Sequence, residues 1–434
     1  MLTRHDLRGA AEADLAGLLP PVALDDDGPR AAVRSVLDQV RAGGDAAVCQ
    51  LTSQFDGVDV AATRVPDAAL DAALGAVDTP VREALRAAAA GIDDFHRHQV
   101  RPPSTYNRDG ITITGRAQPV DRAGCYVPGG RALYPSTVLM TAIPALVAGV
   151  AEVALCVPPG PEGEVPTLTL AAAAVAGVRE VHRIGGAQAV AAMAYGTESV
   201  AAVDVIVGPG NVYVAEAKRQ VAGEGRVGVP SAFAGPSEVI VIADDSAPAA
   251  LAAVDVILQA EHGPGGRAWF ITWDEAVADA VEVELASQVA ASTRRGDIEA
   301  TFAAGGHLAL VDGPAQAAAV SNLVAPEHLE VICADGPAQE VVGLIRHAGA
   351  VFVGPWAPAS VGDYVAGPSH VLPTAGTARF GSALTVADFT KDIHVVTMGR
   401  DALARVGPHA AVLADAEGLP AHADSIRRRL RAEP

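Results

Sequence analysis

Two polar strings, Gln259-Ala260-Glu261-His262 and Pro326-Glu327-His328-Leu329-Glu330, interrupt a chain whose residues are 50% hydrophobic. A third, Gly362-Asp363-Tyr364, is followed by His370-Val371-Leu372-Pro373. Together they supply nitrogen and oxygen donors for a divalent metal, and a carboxylate adjacent to an imidazole. An imidazole titrates near neutral pH and can take a proton from an alcohol, while a neighbouring carboxylate can activate water. Such chemistry suits an enzyme better than a packed core.

Each string also has a plainer explanation. His262 could balance the dipole of the helix that begins near Pro248, Glu327-His328 could be a solvated turn, and Asp363 is a turn former. Spacing favours chemistry in one respect: Gln259 and His262, three apart, would share one helix face. Asp363 lies just past a predicted strand, and open parallel sheets place ligands beyond the carboxyl ends of their strands. It is expected to share one loop with His370.

The elements that must position these groups are read from periodicity. Ala31–Val33, Val36-Leu37 and Val40, then Val81, Leu85 and Ala88-Ala89, recur at helical spacing, so residues 29–100 are predicted to be helical. From about 120, short Val/Ile-rich runs alternate with glycine or proline turns and Ala-rich helices. Val153–Val157 leads to the helix around Leu168–Ala176, Glu180–Ile184 to that of Ala187–Tyr195, and Asp204–Val207 to one ending near Val221. Strand–glycine–helix units in succession predict parallel βαβ structure. Further buried strands are predicted at Val239–Ala243, Ala268–Thr272, Leu308–Val311, Glu330–Cys333 and Ala350–Val353. The fold class is therefore α/β, with two doubly wound parallel-sheet domains of similar size joined near 238. Residues 400–434 read as a polar helical tail without a core of its own.

Glycine turns at Tyr126–Gly130, Gly185–Gln188 and Gly208–Asn211 follow predicted strands and would bring backbone near a phosphate or ribose. None is a full dinucleotide fingerprint. A formal charge of -20 argues against nucleic acid and anionic membranes. The longest apolar run, Ser136–Ala151, is broken by Pro144 and falls short of the roughly 20 residues of a membrane span. Met1–Asp6 has no apolar stretch behind it, so no secretory signal is expected, and four isolated cysteines without a CxxC pair fit a reducing cytoplasm as small buried hydrophobes.

In order and spacing these strings resemble the histidinol dehydrogenase family. The resemblance is carried by Gly124–Gly130, Pro135–Met140, Gly185–Ala189, Gly208–Asn211, Ala234–Glu238, Gln259–His262, Pro326–Leu329, Gly362–Tyr364, His370–Thr374 and Glu417–His422, and spans residues 25–430. It implies a homodimeric enzyme that uses Zn2+, one per subunit, and NAD to oxidise L-histidinol to L-histidine through L-histidinal. The metal ligands implied are Gln259, His262, Asp363 and His422, the last lent by the partner subunit. Tyr126, Gln188 and Asn211 would bind NAD. Ser237, Gln259, His262, His328, Asp363, His370, Glu417 and His422 would surround the substrate, with His328 as the base and Glu327 activating water.

The resemblance also implies two incomplete Rossmann-like domains. Residues 24–121 with 239–378 would carry the zinc and catalytic residues, 122–238 would bind NAD, and the 1–23 arm and the 379–434 segment would serve dimerisation. Four stretches depart from the family: Gly228–Phe233 lacks an Asp that most members carry, Ser369 stands where Asn commonly precedes the histidine, and Gly381–Leu384 and Thr390–Asp392 are atypical. A paralogue acting on another small polar alcohol, such as a sulfonated diol, and a metal-binding protein without catalysis are the alternatives.

Overall fold

The computed structural model describes residues 1–20, 29–129, 132–230, 235, 237–263 and 265–432. Ser231–Phe233 of the Gly228–Phe233 departure therefore lie outside the described residues. Among those described, thirteen strands follow in chain order: β1 (Thr3–Asp6), β2 (Ser104–Arg108), β3 (Ile111–Pro119), β4 (Arg122–Tyr126), β5 (Glu152–Val157), β6 (Glu180–Arg183), β7 (Val205–Val207), β8 (Glu238–Ala243), β9 (Arg267–Thr272), β10 (Gly306–Leu310), β11 (His328–Ile332), β12 (Ala350–Val353) and β13 (Thr390–Met398). The strands expected from Val/Ile runs appear within one or two residues of their expected bounds.

Two parallel sheets organise the chain. One has the order β6-β5-β4-β7 and the other β1-β10-β9-β8-β11-β12. In each, the chain winds outward on one side and then returns to the other side of its first strand, so the winding direction reverses between β4 and β7 and between β8 and β11. Apart from the edge strands β1 and β12, their strands are buried along almost their whole length, which is why they read as continuous apolar runs rather than alternating ones. The two sheets are unequal, with four and six strands, where equal halves were expected.

The helices of residues 30–97 belong with the smaller sheet. Val33, Leu37, Val48 and Leu51 of the helix Arg30–Asp56 share a core with Val190 and Met193, and Leu70, Leu85 and Ile92 share one with Leu139 and Leu155. This differs from the expected grouping of 24–121 with 239–378. The apolar stripes of these helices find their matching surface on the Ala-rich helices Thr167–Ala176 and Gly186–Tyr195, whose small side chains allow close approach. The amino-terminal arm is likewise part of the body: β1 pairs in parallel with β10, and Leu15 is buried against the six-stranded sheet.

A third, antiparallel sheet was not anticipated. β13 pairs with β3 through the register Ile393↔Arg116, and β3 pairs with β2. It anchors the carboxy-terminal segment to its own chain. Beyond it the helices Arg400–Ala416 and Pro420–Arg431 form a hairpin around a small cluster of Ala411, Ala414, Ala423 and Ile426, where no core had been expected. All four cysteines are free, and Cys49 is only half-buried. Among the described residues no helix is long and apolar enough to cross a membrane.

Candidate active site

Glu327 and His328 sit at the amino end of β11, beside the amino end of β8, where Ser237 immediately precedes Glu238. Both are buried, at 7% and 3% exposure, which rules out a solvated turn. His328 Nδ1 donates to the backbone carbonyl of Glu238 at 3.1 Å. That bond fixes the ring and leaves Nε2 facing Asp363 Oδ1 at 3.4 Å. Glu327 Oε2 accepts the Glu238 amide at 2.9 Å and lies 3.5 Å from His328 Nδ1. Burial opposes a charge on His328, but the carboxylates of Glu327 and Asp363 outweigh it and hold the imidazole well above its usual pKa.

Gln259 lies in the helix Ala249–Ala260, which runs back from β8 and so delivers its last turn to the amino ends of the strands. His262 falls just after the helix, in a turn closed by its amide on the Gln259 carbonyl at 3.3 Å, rather than on the helix face expected from spacing. Gln259 is 2% exposed and donates through Nε2 to Asp363 Oδ2 at 3.1 Å. Asp363 is carried by the short helix Ala359–Tyr364, not by a loop shared with His370. Burial would raise its pKa, yet the hydrogen bond to His328 and the charges of His328, His370 and His262 together pull it below the ordinary value. His370 Nδ1 donates to the Asp363 carbonyl at 3.0 Å, leaving Nε2 to accept from Thr137 Oγ1 at 3.0 Å. Burial lowers the His370 pKa, so the neutral ring suits that arrangement.

These residues line one pocket of about 610 Å³, together with Ser237 and, on its far wall, Asn211. The pocket opens at the amino ends of the six-stranded sheet. Placing Asp363 by the carboxyl-end rule was therefore mistaken for this sheet: the groups that hold Glu327 and His328 are the backbone amide and carbonyl of Glu238 at the start of β8. The rule does hold for the four-stranded sheet. A larger cavity of about 1020 Å³ lies at the carboxyl ends of β4, β5 and β6 and is lined by Tyr126, Pro158, Gly186, Gln188 and Asn211. The Tyr126 hydroxyl accepts the Gly186 amide at 3.2 Å. Gly186 has φ +59°, and a Cβ there would lie 2.6 Å from Gln188 Oε1, so only glycine fits the turn. Asn211 caps the helix Val212–Gly223 by accepting from the Tyr213 and Val214 amides. The two cavities share a wall of Pro128, Ala132, Leu133, Tyr134 and Asn211.

The residues expected from this subunit's own chain all line one or other of these cavities, and the two expected from a partner subunit do not. Glu417 and His422 lie exposed at and after the turn of the carboxy-terminal hairpin and line neither cavity. Among the described residues no group of three or more His, Cys, Asp or Glu side chains is gathered to hold a metal. Gln259, His262 and Asp363 remain as an amide, an imidazole and a carboxylate around one pocket. Sequence reasoning gave no role to Thr137 or Glu238, although both fall in strings that carry the family resemblance.

Over residues 22–430 the chain matches the family model described as histidinol dehydrogenase. The chain belongs to the histidinol dehydrogenase family. It is 47% identical over 407 residues to "Histidinol dehydrogenase 2" of Trichormus variabilis, covering 93% of each chain. To the histidinol dehydrogenase of Gluconobacter oxydans it is 45% identical over 420 residues, covering 96% of each. The crystal structure of histidinol dehydrogenase from Elizabethkingia anophelis superposes with a TM-score of 0.93 at 32% identity, covering 99% of this chain and 98% of that one.

Proposed function

We propose that this chain performs the four-electron, NAD-linked oxidation of L-histidinol through L-histidinal to L-histidine, with one Zn2+ per subunit, in the cytoplasm. The observation that carries this reading is the Glu327–His328 pair, buried beside Asp363 in a pocket that shares a wall with a second cavity. Family membership supplies the substrate class.

The residues present suit both absent groups. Gln259, His262 and Asp363 offer the nitrogen and oxygen donors that zinc accepts, and His422 of the partner subunit would complete four ligands. Gln188 Nε2 is a buried amide without a hydrogen-bond partner among the described residues, in a cavity at the carboxyl ends of a Rossmann-like half sheet, as a dinucleotide site requires. When bound, zinc supplies a Lewis-acid anchor for the substrate's amine and imidazole, and NAD accepts the hydride of each oxidation.

The chain's own groups do the rest. His328 takes the hydroxyl proton as the carbinol hydrogen leaves as hydride, giving the aldehyde. Glu327 then takes a proton from water as it adds to that aldehyde, and a second hydride leaves the hydrate to give the acid. The balance is one alcohol, two NAD and one water to one carboxylate, two NADH and three protons. Positioning of the reacting atoms can account for ~7–11 kcal/mol of the barrier. Ser237 and His370, with Glu417 of the partner subunit, would hold the amino alcohol.

Ser369 does not redirect specificity. It is buried, donates to the Met140 carbonyl at 3.0 Å and accepts from the Val371 amide, so it packs on backbone rather than on substrate. The test is steady-state assay of the zinc-loaded protein with L-histidinol, which should yield two NADH per alcohol. Turnover of a sulfonated diol but not of L-histidinol would overturn the reading.

A further inference from the structure

We propose that Asp56 binds the ribose hydroxyls at the adenosine end of the dinucleotide and selects the unphosphorylated cofactor over its 2′-phosphorylated form. This rests on the reading of the larger cavity as the dinucleotide site.

Asp56 closes the helix Arg30–Asp56, with Gly57 in the left-handed conformation behind it. A carboxylate there faces the negative end of the helix dipole. Its Oδ2 is buried and has no hydrogen-bond partner among the described residues. Burial also pushes its pKa up to about 6. The dipole, the desolvation and the empty acceptor all disfavour an acid here, and none of the described residues compensates it. Two vicinal hydroxyls would, because each is a donor and a carboxylate only accepts.

The location fits that role. Asp56 lines the larger cavity and not the pocket around His328. A nicotinamide ring must lie near His328 to receive a hydride, so the adenosine end points the other way, past Asn211 toward Asp56. Phe55, beside it, lines the same cavity with 55% of its surface exposed, an apolar ring free to stack on a base. No Lys or Arg is among the described residues that line this cavity. Among the described residues a 2′-phosphate would therefore meet a carboxylate and no cation.

In the full dinucleotide fingerprint the ribose carboxylate follows the glycine turn by about 20 residues. Here it precedes all three glycine turns and comes from a helix packed on the outside of the sheet, so a motif search overlooks it.

Two experiments test the assignment by equilibrium binding to the full-length dimer. On the unaltered protein, 2′-deoxy-NAD should bind roughly tenfold or more weakly than NAD, the loss expected for a charge-assisted hydrogen bond. Asp56→Asn and Asp56→Ser should weaken NAD by a similar factor without weakening NADP, so that the NAD/NADP ratio falls at least about tenfold. Equal affinity for NAD and its 2′-deoxy analogue, or an unchanged ratio in both variants, would overturn the role of Asp56. The analogue needs no variant, so misfolding of either substitution leaves the proposal exposed. Gln188→Ala and Asn211→Ala separate the two levels: if neither alters NAD binding, the cavity itself is misassigned.

Discussion

The Gln259 amide nitrogen meets Asp363 Oδ2 at 3.1 Å, joining the end of one helix to another helix 104 residues further along the chain. Asp363 also faces His328 Nε2. Its carboxylate thus links the donors proposed for the metal to the proposed base. Asp363→Asn keeps the shape and removes the charge. We expect zinc retained after dialysis to fall at least about tenfold, with activity partly restored by added zinc. A variant that keeps one zinc per chain by elemental analysis would contradict the ligand assignment.

Glu327 and His328 should separate kinetically. His328→Gln should lose about 10²–10⁴-fold in turnover of L-histidinol, with the fold intact by circular dichroism. Glu327→Gln should stall after the first oxidation, so NADH per alcohol in a single-turnover assay drops from two toward one. Two equivalents formed at the normal rate would remove Glu327 from water activation.

The exposed positions of Glu417 and His422 bear on the assembly. If the partner subunit supplies them, His422→Ala and His328→Ala chains, each inactive alone, should complement when unfolded and refolded together. Random pairing gives half heterodimers, each with one intact site, hence about a quarter of the normal activity. No recovery in a mixture confirmed to contain heterodimers would place His422 outside the neighbouring site.

Glu330 follows His328 on β11, is 1% exposed and lies beside the carboxyl of Asp255. Burial and the Asp255 charge push its pKa from 4.5 to about 9. The folded protein therefore holds a proton that the unfolded chain releases above about pH 4.5. Stability from this group is complete below that value and is lost as pH rises toward 9, at up to about 1.4 kcal/mol per pH unit for one proton. Urea midpoints at pH 5, 7 and 9 should fall more steeply for the native chain than for Glu330→Gln. Parallel slopes would show that Glu330 keeps no proton in the fold.

The parallel strands and the helices of 30–97 were legible because buried Val/Ile runs and 3.6-residue stripes are local patterns. β1 was not: Thr-Arg-His-Asp has no apolar signal, and only its pairing with β10 makes it a strand. β2 is exposed throughout and is held by β3, a contact that periodicity does not encode. In the site, the polar strings stood out because Glu327, His328 and Gln259 break apolar surroundings. The pairing of Asp255 with Glu330 did not, since each looks ordinary alone. Glycines after apolar runs marked the turns at Tyr126, Gln188 and Asn211, whereas the carboxyl-end rule misjudged Asp363, because β8 and β11 present their amino ends to the pocket.

The wall common to the two cavities bears on how a reaction of two oxidations can run without losing its aldehyde. With the dinucleotide in the larger cavity as proposed, a spent one would depart along the four-stranded sheet and a fresh one would enter by the same route, without crossing the pocket around His328 where the half-oxidised molecule would be held. Separate doors for traveller and passenger let a reactive carbonyl stay sheltered while its electron acceptor is replaced.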